Sequence, residues 1–299
     1  MKKYRSLLIY FTILILLCTG FVIGAKMMGE QGMYLAQGYM MTPALAAIIT
    51  RLFFYENKFK DANLRLGRGR DYLHFWALSL GITLLSYGLY TLLGSVSWDF
   101  SGQVFLDYLA EQFAATGQDI NDTLPPGFTP HMMLLIFFIG GLTVFNILPG
   151  LITGFGEEFG HRGLMFSELY RIRPWVGIFI GGFLWYAWHW PLILIIPQTL
   201  EFSFIELLTN WLLLGVGSIA AFIYLAYVYV KSESVWVASV AHITMNNAAA
   251  SFSYFAILEN QMLANLGLAI TMVIVVLVLY WRGEFEVFTS LNSEYEGLG

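Results

Sequence analysis

Residues 6–25 read SLLIYFTILILLCTGFVIGA, an uncharged stretch preceded by Lys2, Lys3 and Arg5. Its length matches the roughly 20 residues a helix needs to cross the hydrocarbon core of a bilayer. The apolar core of a secretory leader is shorter, so the segment reads as a retained first helix. Cys18, the only cysteine of the chain, lies inside it. A single cysteine excludes an internal disulfide framework and a cysteine-based zinc knuckle, and the thiol reads as lipid-facing or packed.

Working outward, runs of comparable length recur at about 33–55, 73–94, 131–156, 175–196, 204–230, 235–256 and 262–281, after the first at 7–25. None alternates polar and apolar positions as barrel strands do. The chain of 299 residues is 58% hydrophobic and only 12% charged, with a mean hydropathy of +0.67. A soluble domain of this size carries about a quarter charged residues, so lipid is the solvent this composition suits. The net charge of −5 is spread along the sequence and excludes a nucleic-acid partner. The fold expected is therefore all-α: a polytopic bundle of about eight transmembrane helices, forming a single membrane domain over 1–299.

Basic residues set the orientation. They gather at the N-terminus, in the second loop (Lys58, Lys60, Arg65, Arg68, Arg70), in the fourth (Arg171, Arg173), at Lys231 and at Arg282, whereas residues 95–130 hold no Lys or Arg. Both termini are expected in the cytoplasm, with the basic second loop against anionic headgroups. The long outer loop carries Phe105, Leu106, Tyr108, Leu109 and Phe113 at helical spacing, which predicts an interfacial helix. Asn121-Asp122-Thr123 is a glycosylation sequon that matters only in a eukaryotic secretory setting.

Ionisable groups inside spanning segments are costly and therefore point to function. Three clusters stand out: Gly156-Glu157-Glu158-Phe159-Gly160-His161-Arg162-Gly163, Trp185-Tyr186-Ala187-Trp188-His189-Trp190-Pro191-Leu192, and Ala241-His242-Ile243-Thr244-Met245-Asn246-Asn247. Glu158 and Arg162 are four apart and pair on one helix face. Glu157 points about 100° away and has no opposite charge of its own, while His161 stacks near it. The glycines at 160 and 163 suggest close helix packing. His189 and the His242/Asn246 face would, taken singly, serve as interhelical hydrogen bonders; together they form a set. Measured from the basic markers, Glu157, His189, His242 and Asn246 all lie roughly 16 to 24 Å deep at 1.5 Å per residue. Residues 131–170 are too long for one straight span, and Pro149-Gly150 is the expected kink or break.

A carboxylate, two imidazoles and an amide can activate water. Glu157 acts as general base on a water that His189 orients, and His242 and Asn246 donate to the oxyanion formed when water attacks a carbonyl. Arg162 holds Glu158. The same side chains offer a second reading, in which Glu157, His189 and His242 bind a catalytic zinc with an open water position. Direct water activation, which requires no cofactor, is the favoured one.

In order and spacing, Glu157-Glu158-x-x-x-Arg162, an aromatic three residues before His189, and His242-x-x-x-Asn246 resemble the CPBP (CAAX protease and bacteriocin-processing, or Abi) intramembrane endopeptidases. The likeness covers about residues 130–260. It implies an eight-helix fold with a cavity open to cytoplasm and membrane, a Glu157–His189 water-activating pair, and His242 and Asn246 as oxyanion donors. Trp185 stands where the family often has Phe, which keeps an aromatic wall. The resemblance also implies a peptide or lipidated-peptide substrate reached from membrane lipid, metal dependence in the family's description, and links to bacteriocin maturation or immunity. The compact chain is expected in a prokaryotic plasma membrane. Two other readings stand beside the endopeptidase: a non-catalytic immunity or scaffold protein, and a proton-coupled transporter, against which the lack of an internal repeat counts.

Overall fold

A backbone in lipid must satisfy its own hydrogen bonds, so apolar runs of this kind fold as helices. The computed structural model describes residues 4–56, 58–115, 117–194 and 203–289. Lys2, Lys3 and the last two residues of the 175–196 run lie outside the described residues. The helices are α1 (Arg5–Met27), α2 (Leu35–Tyr39), α3 (Thr42–Phe54), α4 (Gly69–Leu92), α5 (Gln103–Ala115), α6 (Ile120–Thr123), α7 (Pro130–Leu142), α8 (Val144–Gly160), α9 (Ser167–Ile172), α10 (Gly181–His189), α11 (Phe204–Ser232), α12 (Val235–Phe252) and α13 (Gln261–Trp281). Side chains at the starts of the later helices cap them: Thr129 for α7, Ser203 with Glu206 for α11, Ser234 for α12 and Asn260 for α13. Glu233, in the left-handed region at φ 52°, ends α11 and turns the chain straight into α12.

Among the described residues, α1, α4, α11 and α13 are long and apolar enough to cross a membrane, and the chain is an integral membrane protein of all-α class. The other expected spans are less regular than the hydropathy suggested. The 33–55 run divides into a 3₁₀ turn, α2 and α3. The 175–196 run divides into a π turn (Val176–Ile180), α10 and a 3₁₀ turn (Trp190–Leu194). The 18 residues of α12 carry Ser239, His242, Thr244, Asn246 and Asn247 among the apolar positions. The helix is interrupted at Thr143, whose extended backbone separates α7 from α8, and α8 runs on as helix through 149 and 150, where a kink or break was expected. A Cβ on Gly154 would sit 3.2 Å from the Ser239 carbonyl oxygen of α12, so this face is fitted to a neighbouring backbone.

The core lies where α11 and α12 pass through the bundle. Residues Phe222–Val230 of α11 are all buried, which suits a helix apolar on every side. α12 packs on α4 and α8, α11 on α13 and α10, and α3 on both α1 and α8. The α3–α8 contact depends on Gly160, where a Cβ would come within 2.4 Å of the Pro43 backbone. Cys18 is packed, its sulfur 3.4 Å from the Thr42 hydroxyl. The expected amphipathic helix of the 95–130 loop is present as α5, with Leu106 buried and Phe105 against Tyr254. Two short strands were not foreseen: β1 (Val96–Trp98) pairs antiparallel with β2 (Ala256–Leu258) and joins the adjacent ends of α4 and α12.

Candidate active site

The final turn of α8 delivers Glu157 and Glu158 to opposite fates. Glu158 is fully buried, and its Oε1 accepts from Arg162 Nη1 at 2.7 Å and from His242 Nδ1 at 2.8 Å. The Arg162 guanidinium is also fully buried, lying 4.3 Å from the Phe222 ring centre and 4.9 Å from that of Trp185. A charge pair this deep holds only while each partner has the other. The i,i+4 pairing expected from sequence is present, and the link across to α12 is additional.

Glu157 is 4% exposed, and among the described residues no arginine or lysine pairs with it. Its Oε2 accepts from Trp185 Nε1 at 3.2 Å and stands 3.7 Å from His189 Nε2. His189 Nδ1 lies 2.8 Å from the Trp185 carbonyl oxygen. A carbonyl only accepts, so Nδ1 carries the proton and Nε2 turns a lone pair toward Glu157. Two acceptors cannot bond each other, but a single water donates one proton to each. At 3.7 Å the two atoms are close enough for one water set beside them, not between them, to reach both.

His242 Nδ1 faces a carboxylate and so must donate, leaving Nε2 free to donate as well only when the ring is imidazolium. Asn246 follows one turn later on the same face of α12, and its side chain is exposed. With Trp185 and His242 it lines a cavity of about 300 Å³ whose far wall includes Thr83 and Tyr87 of α4 and Met272 of α13. The structure thus brings Glu157, Glu158, Arg162, His189 and His242 together, with Asn246 at the adjoining cavity. His161 departs from expectation. It is buried with its ring edge on Trp188, 5.0 Å between centres, and neither ring nitrogen has a hydrogen-bond partner. A π turn begins at His161 and alters the pitch that would have stacked it on Glu157.

Trp185 was expected only as an aromatic wall, yet it organises the site. Its Nε1 holds Glu157, its carbonyl sets the His189 tautomer, and its ring meets Arg162 and, at 5.8 Å, His242. The sequence signal was available, because a buried indole N–H usually finds an acceptor. The end of α10 is fixed by Tyr39, whose hydroxyl donates to the Trp188 carbonyl at 2.7 Å while its ring stacks on that indole at 5.2 Å.

Glu157, His189 and His242, the three side chains expected to hold any zinc, do not form a metal-holding group as placed, and no other three His, Cys, Asp or Glu among the described residues do. His189 and His242 have Nδ1 engaged on Trp185 and Glu158, the usual orienting bond of a metal-bound histidine, so Nε2 is the nitrogen each would turn to a metal.

No curated protein matches the chain. Residues 139–248, which contain every site residue named above, match the family model described as Rce1-like, type II CAAX prenyl endopeptidase Rce1-like, and so carry the pattern of the CPBP/CAAX-protease family that the three motifs resemble.

Proposed function

We propose that this chain is an intramembrane endopeptidase of CAAX-protease type that hydrolyses a peptide bond with water activated by Glu157 and His189. The observation that carries the reading is the 3.7 Å gap between Glu157 Oε2 and His189 Nε2, two acceptors fixed in place by different atoms of Trp185. Water held there attacks the scissile carbonyl carbon as Glu157 takes its proton, and protonated Glu157 then gives that proton to the departing amine. His242, as imidazolium with Nδ1 anchored on Glu158, and the Asn246 amide donate to the developing oxyanion. The cavity of about 300 Å³ beside them receives the apolar part of a peptide or lipidated peptide arriving from the lipid.

The basic ends of α3, α9 and α11 support a topology of eight crossings with both termini, and the mouth of the site, on the cytoplasmic side. The single domain then spans the whole chain. Cleavage of a membrane-embedded reporter peptide by purified protein, with and without a chelator, tests the mechanism. Hydrolysis should survive chelation and vanish in Glu157→Gln; activity lost to the chelator and restored by zinc would return the metal reading.

A further inference from the structure

We propose that Arg51 is a positioning residue for this site: held by Asp61, its guanidinium fixes the π turn that carries Arg162, and through it the Glu158–His242 pair. Arg51 lies near the end of α3 and is 1% exposed. Its Nη1 donates to Asp61 Oδ1 at 2.6 Å and to the Lys58 carbonyl, and its Nη2 donates to the Gly163 carbonyl. The Tyr55 ring packs at 4.8 Å. Gly163 is the residue after Arg162 and lies in the middle of the π turn His161–Phe166.

Two features make this more than a buried ion pair. A π turn is a rare register that needs partners from outside the helix, and Arg51 supplies a donor to a carbonyl within it. A single planar guanidinium serves acceptors on the loop and on the turn at once, which the single ammonium of lysine is too compact to do. Asp61 is anchored in turn: its Oδ2 lies 3.0 Å from the Tyr55 hydroxyl and 3.1 Å from Arg171 Nη2. Glu168 joins the same cluster, 2.8 Å from Tyr55 and accepting from Ser6 of α1 at 2.7 Å. The loop between α3 and α4 is thereby tied to the helix turn beneath the reacting carboxylates. If the turn relaxes toward α pitch, Arg162 leaves the helix in a different direction and Glu158 and His242 shift with it.

The catalytic part of this inference rests on the endopeptidase reading; the structural part does not. The test uses the full chain in lipid nanodiscs, with Arg51→Lys, Arg51→Ala, Asp61→Asn and Glu157→Gln. Amide hydrogen exchange is followed by mass spectrometry, and hydrolysis with a quenched-fluorescent transmembrane reporter peptide. Arg51→Lys should keep the wild-type melting temperature while exchange across 161–166 rises about tenfold and remains unchanged in α11 and α12. Its kcat should fall by about tenfold or more with KM nearly unaltered, since a misplacement on the order of 1 Å can cost that much. Asp61→Asn should lower the melting temperature, yet raise exchange at 161–166 well beyond that in α11 and α12 and reduce kcat by a smaller factor, which keeps the test valid if Arg51→Ala does not fold. Unchanged exchange at 161–166 overturns the proposal. So does exchange that rises everywhere in step with a lower melting temperature, which marks a mere fold clamp. If wild type cleaves no faster than Glu157→Gln, the endopeptidase reading fails, and the exchange pattern still decides the role of Arg51.

Discussion

Two pairs of carboxylates, one at each end of the segment from Glu157 to Arg171, are treated in opposite ways. Asp61 and Glu168 meet two arginines, a tyrosine and a serine, so every charge there has a partner. Glu157 and Glu158 share one arginine, and it belongs to Glu158. In the first pair each carboxylate is matched by arginine, and the cluster holds helices and the turn that carries Arg162. The second leaves one carboxylate in a low-polarity setting, bonded only by an indole N–H and facing an imidazole lone pair. A buried anion without a cation is expensive for stability and is retained where chemistry needs it.

The largest test of that contrast exchanges the unpaired group. Glu157→Gln keeps the shape and the Trp185 contact but removes the base, so kcat should drop by about 10³-fold or more with the melting temperature unchanged or higher. Arg162→Met attacks the charge-paired half of the site instead. It leaves Glu158 buried without its arginine and should cost about 3–5 kcal/mol of stability by chemical denaturation. A loss of activity without any loss of stability would contradict the division of labour between the two glutamates. Next, Asn246→Ala removes one oxyanion donor from an exposed position, and kcat should fall by about 10²-fold with the fold intact. Trp185→Phe restores the aromatic often found in the family but deletes the N–H on Glu157. Hydrogen bonds to charged groups are worth about 1.5–3 kcal/mol, so kcat should decline on the order of tenfold. An unchanged rate would mean that His189 alone places the water.

The three motif clusters and the Glu158–Arg162 pair were legible because they depend on local spacing, which helical periodicity fixes. Partners contributed by distant helices were not. Nothing in the spacing says that His242 Nδ1 reaches Glu158 rather than Glu157. The π turn at 161–166 was also hidden, since no residue type marks such a register in a sequence, and it took His161 away from Glu157. The interruption at Thr143 was not foreseen either, because the strongest breaker in the sequence is Pro149-Gly150, where α8 continues as helix. Arg51 escaped notice because it sits inside an apolar run and reads as a stray charge; its burial and its three acceptors appear only once the loop has folded back. Hydropathy located the apolar runs but not the turns that divide them, as in 33–55 and in 175–194.

The smallest expected effect lies among exposed groups, where pairing should matter least. Lys231 and Glu284 pair at 3.0 Å between the end of α11 and the turn after α13, and the Tyr227 hydroxyl also donates to Glu284, at 2.9 Å. The Lys231 bond, seconded by Tyr227, holds the Glu284 carboxyl below its ordinary value of 4.5. A depressed carboxyl stabilises the fold when ionised, so the contribution is complete above pH 4.5 and fades as pH falls through the lower folded value. Half of the lysine side chain is open to solvent, so screening limits the pair to about 0–1 kcal/mol. Glu284→Gln should therefore lower stability by less than about 1 kcal/mol at pH 7, the deficit shrinking in added salt and closing under acid. Asp61→Asn provides the contrast. Burial there works against the charge, but the bonds from Arg51 and Arg171 outweigh it and keep the carboxyl below 3.8, so its deficit should be larger and should resist salt. If the two variants lose equal stability and respond alike to salt, the Asp61 cluster is no more than another surface network.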